Sequence, residues 1–267
     1  MDYLNRAAAG FSDALWKRID DTALDAARNI LTGRRFLDLE GPFGVGLTSL
    51  ELGEESYIDS DDDDMADTVG SRSLSVPVLQ QTFRLSVRRV EGHLRLGLPL
   101  DLKPVEDAAE AVARREEQVI YQGIPELGLP GLTTVDGRAS VALGNWSEVE
   151  QALGDVLAGV ERLDAEGFRG PYVLALSPSR YNALFRRYQG SDMLQLDHLR
   201  RLCAGGVLKA PVSGAVLLDP RAGEIKIGQD LQVGFSATDG IHLRLFVSES
   251  LVLLLDDPAA ICRLEES

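Results

Sequence analysis

The sequence predicts an α+β fold. Three observations carry this: long amphipathic helical stretches in the first two thirds of the chain, a strand-rich ending, and no regular alternation of strand and helix between them. The 267 residues make one large domain or two small ones. A compact chain of this length buries roughly 70–75% of its unfolded surface, so it needs no staple to fold.

The first helix is expected over residues 12–31. Ser12 stands where an N-cap belongs, and Leu15, Trp16, Ile19, Ala23, Ala27, Ile30 and Leu31 recur every three or four residues as one apolar stripe. Lys17, Arg18, Asp21, Asp25 and Arg28 fill the other side, and Gly33 is placed as a C-cap glycine. An extended polar stretch over 47–72 follows, with Asp59, Asp61, Asp62, Asp63 and Asp64 at its centre. A run this acidic cannot pack on itself and reads as an exposed loop. Phe83, Leu85 and Val87 then alternate with Arg84, Ser86 and Arg88, the period of a half-buried strand. The polar stretch is thus a long excursion out of a sheet and back, and loops of this length usually have a function.

The second helix is expected over 104–121. Pro104 suits its first turn, Val105, Ala109, Val112, Val119 and Ile120 form its buried face, and Gly123 closes it. Arg114, Arg115, Glu116 and Glu117 are read as its charged, solvated face. A third helix is expected from Ser147, which makes a capping box with Glu150, through Val149, Leu153, Val156, Val160 and Leu163 to Gly167. A strand over 171–176 leads to short helices over 179–188 and 194–203. Beyond Val207, apolar runs at 215–218, 224–227, 231–235, 242–247 and 251–255 are separated by Gly, Pro and Asp and read as strands.

The formal charge of −15 argues against a nucleic-acid binder and against adhesion to anionic membranes. The apolar runs are too short to span a bilayer, and no signal peptide is evident. Two cysteines, Cys203 and Cys262, are too few for a disulfide framework and favour a reducing cytoplasm. Catalytic and ligand-binding patterns fail one by one. Gly41, Gly44 and Gly46 have the spacing of a phosphate-binding loop, but Leu47 stands where the lysine belongs, so a turn between strands is expected. The 59–64 acidic run lacks the central glycine and the closing glutamate of a calcium loop, whose place is taken by Gly70. His93, His198 and His242 show no zinc spacing. Cys203, five residues after His198, reads as packing, and there is no Gly-x-Ser-x-Gly elbow.

The stretch from Gly33, Arg34, Arg35 and Phe36 through Asp38, Glu40, Gly41, Pro42, Phe43 and Gly44, behind a helix with Trp16, Ile19 and Asp20, resembles the amino-terminal region of the encapsulins. These are bacterial and archaeal shell proteins that assemble around a cargo enzyme. The likeness continues in family order through Thr82-Phe83, Glu117, Val119, Ile120, Gly123, Gly128, Gly131-Leu132, Glu166-Gly167, Gly170-Pro171-Tyr172, Gly205-Gly206, Gly228-Gln229-Asp230-Leu231 and Leu245-Phe246, over essentially the whole chain.

The resemblance implies the phage major-capsid fold of the Hong Kong 97 type. It assigns residues 1–46 to the amino-terminal helix and the start of a peripheral domain, and 47–82 to an extended loop. Residues 83–134 become the peripheral domain with its spine helix, 135–222 an axial domain, and 223–267 return strands of the peripheral domain. It also implies a homo-oligomeric icosahedral shell in the cytoplasm and no catalysis by this chain. The expected cargo is a dye-decolourising peroxidase or a ferritin-like protein, held by its carboxyl-terminal targeting peptide. Leu31, Arg34, Asp38, Leu231 and Val233 are the implied docking residues, with Arg34 and Asp38 either pairing with the peptide or tying the helix end to the sheet. On that basis Arg34→Glu is expected to lose cargo while keeping shells. Tyr188, Gln189, Gly190, Ser191 and Asp192 are placed at the fivefold pore. No cofactor or metal is expected. Some family members bind a flavin against an aromatic residue on the return strand, and this chain has Arg88 there. The alternatives are a phage or prophage capsid protein packaging DNA and, because linocin-like members have been described as proteolytic, a peptidase; no Ser–His–Asp or Cys–His set is visible for the latter.

Overall fold

The computed structural model describes residues 2–58, 66–146, 148, 150–187 and 192–265, which form two main sheets and a projecting arm. Ser12 caps helix α1 (Asp13–Arg28), accepting from the Leu15 amide at 3.3 Å, and the expected stripe of Leu15, Trp16, Ile19, Ala23 and Ala27 is buried. The helix ends at Asn29, short of Gly33. Gly33 opens a 3-10 turn, Gly33–Arg35, pressed so close to the second long helix that a Cβ there would sit 2.6 Å from Ile120 Cδ1.

Strand β1 (Asp38–Glu40) is followed by the arm, an antiparallel ribbon of β2 (Ser49–Ile58) and β3 (Thr68–Ser75). The acidic run 59–64 lies outside the described residues. Strand β4 (Val78–Ser86) buries Leu79, Phe83 and Leu85 in the expected alternation. Val87, expected as a strand residue, instead opens helix α2 (Val87–Leu96), because Val87 and Val90 sit three apart and share a helical face. The spine, α3 (Lys103–Gln122), takes Pro104 in its first turn and ends at Gly123, with φ 77°. The pair β5 (Gly123–Ile124) and β6 (Leu129–Pro130) follows.

Next come β7 (Ala139–Ala142), α4 (Gln151–Ala165), β8 (Val173–Leu176), α5 (Pro178–Ala183), α6 (Gln195–Leu202), β9 (Gly206–Lys209) and β10 (Ala215–Leu218). Helix α4 begins at Gln151 with Glu150 as an N-cap that makes no side-chain bond; Ser147 and Val149, expected to open this helix, lie outside the described residues. The last strands are β11 (Gly223–Asp239), β12 (His242–Leu255) and β13 (Ile261–Glu265).

One sheet runs β1-β11-β12-β4, with β1 parallel to β11 and the other pairs antiparallel; α1 and α3 pack with it. The other runs β7-β13-β10-β8-β9 and carries α4. Four apolar runs of the ending are therefore two long strands, broken in the sequence by a bulged register around Gln229 and by the buried polar trio Ser248, Glu249 and Ser250. Strand β13, expected within 223–267 among the return strands of the peripheral domain, pairs with β10 and β7 and not with β11 or β12. Ile261, Cys262 and Leu264 are buried between β7 and β10, so the chain ends in the second sheet.

The glycine-rich stretch after β1 continues along β11, with the Phe43 amide donating to the Ile227 carbonyl at 3.0 Å and the Gly44 amide to the Gly228 carbonyl at 2.5 Å. Two amides of the expected turn are thus bonded to a strand. Gly41 has φ 125°, and a Cβ there would meet the Ile227 carbonyl oxygen. Gly41→Ala is expected to cost about 1–3 kcal/mol and lower the thermal midpoint. Gly46→Ala, in open space, is the control that leaves the midpoint unchanged by differential scanning calorimetry.

Candidate functional site

The turn that follows α1 is held by carboxylates from the spine helix. The amides of Thr32 and Gly33 donate to Glu117 Oε1 at 2.8 and 2.9 Å, and the Thr32 hydroxyl bonds Glu117 Oε2 and lies 3.0 Å from the Tyr121 hydroxyl. Burial raises the Glu117 carboxyl above its usual range, against these donors, which favour its charge. Arg34 then projects into three further carboxylates. Its Nε and Nη2 grip Glu116 at 2.6 and 2.9 Å, Nη2 also donates to Glu249 at 2.9 Å, and Nη1 to Asp230 at 3.0 Å. Burial opposes the charge of Arg34, but Glu116, Glu249 and Asp230 outweigh it and hold the guanidinium firmly protonated.

Glu116 and Glu117 are buried, not solvated as expected from their charged neighbours. They lie on the stripe that Val112, Val119 and Ile120 define, and a carboxylate on an apolar stripe was the available signal. Glu249 is also buried, and its Oε1 has no hydrogen-bond partner among the described residues. Burial, then the neighbouring Glu116, push its carboxyl well above the usual range against the pull of Arg34, with Asp230 adding to the rise.

The other implied docking residues are scattered in exposure. Leu31, Leu231 and Val233 are buried, whereas Asp38 is exposed on β1 opposite Glu224. Residues 4–9 lie against the far part of β11, and Tyr3 reaches β4 and β12, its hydroxyl 3.3 Å from Gln80 Oε1 and 3.4 Å from Ser248 Oγ. The Phe235 amide donates to the Leu4 carbonyl at 2.9 Å, and Arg6 Nε donates to the Val233 carbonyl at 2.9 Å. Arg6 also holds Asp20 of α1 through Nη1 and Nη2 at 2.9 and 2.6 Å and lies 4.8 Å over the Trp16 ring. Tyr3 meets Phe246 edge-on at 5.6 Å. Sequence reasoning missed this segment because nothing in Tyr3, Leu4 or Arg6 marks a partner some 230 residues downstream, as |i−j| = 227 for Arg6 and Val233.

Of the residues expected at the pore, Tyr188, Gln189, Gly190 and Ser191 lie outside the described residues. Asp192 is exposed, 3.4 Å from Arg187 Nη1, and Arg187 forms an antiparallel bridge with Leu194. Arg88 is on the first turn of α2 and exposed, so it does not stand on the return strand where the flavin comparison placed it. Cys203 and Cys262 are free and buried. Among the described residues no group of three His, Cys, Asp or Glu is placed to hold a metal, and no helix is long and apolar enough to cross a membrane.

A spine helix across a long-stranded sheet, a second sheet beside it and an arm that lies largely in solvent define a capsid-type shell subunit. The family model described as Linocin_M18, encapsulating protein for peroxidase, matches residues 1–252, and the chain belongs to this family. It is 28% identical over 277 residues to the type 1 encapsulin shell protein of Myxococcus xanthus, covering 99% of this chain and 96% of that one. Its fold is similar to the virus-like particle of Pyrococcus furiosus, with TM-score 0.74 and 20% identity over 94% of this chain and 99% of that one. It is also similar to the capsid of Myoviridae phage XM1, with TM-score 0.61 and 15% identity over 88% and 90%. The phage major-capsid fold of the Hong Kong 97 type is thereby established, and the chain is a self-assembling shell protein, not an enzyme.

Two predictions follow from the carboxylate network. Arg34→Glu places an acid among three acids, so it is expected to destabilise the subunit by about 3–5 kcal/mol. That corrects the expectation of cargo loss alone; soluble, normally stable particles from this variant would refute the structural role. For Glu249 the folded state binds the proton more tightly than the unfolded chain. Its contribution is therefore complete below the ordinary carboxylate range and is lost as pH rises through its raised pKa. Glu249→Gln is expected to flatten the decline in stability towards alkaline pH, read by denaturant unfolding across a pH series. A slope equal to the wild type would assign the titration elsewhere.

Proposed function

We propose that this shell is an icosahedral compartment of the cytoplasm that encloses a peroxidase or a ferritin-like protein and admits small molecules through pores at its symmetry axes. The observation that carries the cargo reading is the match of residues 1–252 to a family described as encapsulating a peroxidase. The cargo's carboxyl-terminal peptide docks on the inner face, where the end of α1, β1 and the edge of β11 meet. Leu31, Leu231 and Val233 form the floor, and Asp38 presents an exposed carboxylate at its margin. Arg34 positions this floor from beneath. Residues 188–192 line the fivefold pore.

The arm supports assembly through neighbouring subunits. Strand β3 is exposed along nearly its whole length, and Tyr57, Ile58 and Val69 expose 66%, 66% and 53% of their surface. An isolated two-stranded ribbon is marginal in water, so the arm gains its stability from a second copy. Deleting residues 53–71 is expected to leave a soluble subunit that does not close into shells. Intact hollow particles in negative-stain electron microscopy would overturn this role of the arm.

The test of the cargo reading is purification of shells from the native host, followed by mass spectrometry of the contents. A co-purifying peroxidase or ferritin-like protein, lost from Asp38→Arg shells of unchanged size, is the expected result. Packaged DNA with no cargo protein would favour the capsid alternative, and full loading of Asp38→Arg shells would remove Asp38 from the docking surface.

A further inference from the structure

The docking reading leaves the first residues of the chain without a role, yet they are not loose. Along the edge of β11 facing away from β12, β1 pairs with Glu224–Lys226, and Phe43 and Gly44 cover Ile227 and Gly228. Residues 4–6 then cover Val233 and Phe235. The edge beside Leu231 is therefore flanked on one side by a strand integral to the sheet and on the other by the first residues of the chain.

The two flanks are held differently. Strand β1 follows the turn in which Gly33 is buried and Arg34 is held by the buried Glu116 and Glu249, whereas the 3-10 turn Arg6–Ala9 has no buried residue and Tyr3 is 37% exposed. What fixes residues 2–6 is one main-chain bond from Phe235 to Leu4, the Arg6 side chain on the Val233 carbonyl, Asp20 and the Trp16 ring, and Tyr3 against Phe246, Gln80 and Ser248, and none of residues 2–6 is itself buried. At Leu4 the segment borrows the main-chain pairing by which a peptide adds to a sheet edge, and from Asn5, with φ 48°, it turns away and leaves side-chain contacts to do the rest. Few buried contacts make such a segment the first to detach.

We propose that residues 2–6 are an intramolecular placeholder on the peptide-docking edge of β11, seated in the empty shell and displaced by the incoming cargo peptide. The inference rests on the docking reading above. The seated segment lowers the apparent affinity for any peptide by the fraction of subunits whose edge is free. Peptides that bind too weakly to displace it are thereby excluded from the compartment.

The experiment compares shells of the full chain, shells lacking residues 2–6, and Arg6→Ala shells, each assembled in the presence of two fluorescent-protein probes. One probe begins with this chain's own residues 2–8 followed by a flexible linker; the other ends with the last 20 residues of the cargo identified from native shells. Shells lacking residues 2–6 are expected to capture the first probe, which full-length shells exclude. They are also expected to load the cargo probe on the order of 3–10-fold more at limiting concentration. Arg6→Ala, which keeps the chain length, is expected to raise cargo loading in the same direction and serves if the truncated chain does not assemble.

Exclusion of the first probe by truncated shells, or unchanged cargo loading in both variants, overturns the placeholder. If every shell excludes the cargo probe while truncated shells capture the first one, it is the docking reading that fails.

Discussion

The guanidinium of Arg34 is the constraint on which the peripheral layer depends. Glu116 from α3 and Glu249 from β12 are buried, and Asp230 from β11 closes the same group. Buried carboxylates cost several kcal/mol each when unpaired, so these elements are held together by a charge delivered from the turn after α1. The delivery is itself governed by a buried acid, since Glu117 holds the amides of Thr32 and Gly33. An apolar stripe alone would seat α1 on the spine without fixing its register. The planar fork of Arg34 on Glu116 fixes it, because both nitrogens must face both oxygens.

Assembly sets a second constraint, in the opposite direction. A subunit of charge −15 repels its copies at long range, and screening by salt reduces that repulsion only beyond about 8–10 Å. Association must then come from short-range burial, for which the arm leaves Tyr57, Ile58 and Val69 exposed. Closed symmetry repeats each such contact over every subunit, so individually weak interfaces add up. The core of the chain and the arm therefore follow different rules: one is satisfied internally, and the other leaves apolar side chains in solvent.

The sequence made the helices legible where one face is apolar over several turns, as in α1 and α3. It also located β10, whose four residues are apolar and fully buried. It concealed the length of β11 and β12, because Gly228, Gln229 and Ser248 to Ser250 look like breaks while the strands run through them. It concealed β13, a short run after Asp256, Asp257 and Pro258, because only pairing with β10 and β7 makes it a strand. The resemblance pointed to Arg34 and Asp38, but the carboxylates that claim Arg34 lie at |i−j| = 82, 196 and 215. No local pattern carries that information. The Glu116-Glu117 pair was the nearest to a visible clue, as acids on the stripe of an otherwise apolar helix face.

The network also determines what a docked chain can meet. Arg34 makes four hydrogen bonds to carboxylates out of the five donors a guanidinium carries. An incoming carboxylate would join three acids already there, so the proposed role of Arg34 is to position the surface and not to grip the peptide. What faces outward is acid: Asp38 is exposed, and the side chain of Asp230 is 53% exposed. Rigid support of this kind lowers the ordering cost of binding. The turn after α1 is thus fixed by buried carboxylates, whereas residues 2–6 are held only through part-exposed contacts, and under the placeholder proposal that contrast is what lets the first residues leave while the turn stays in place.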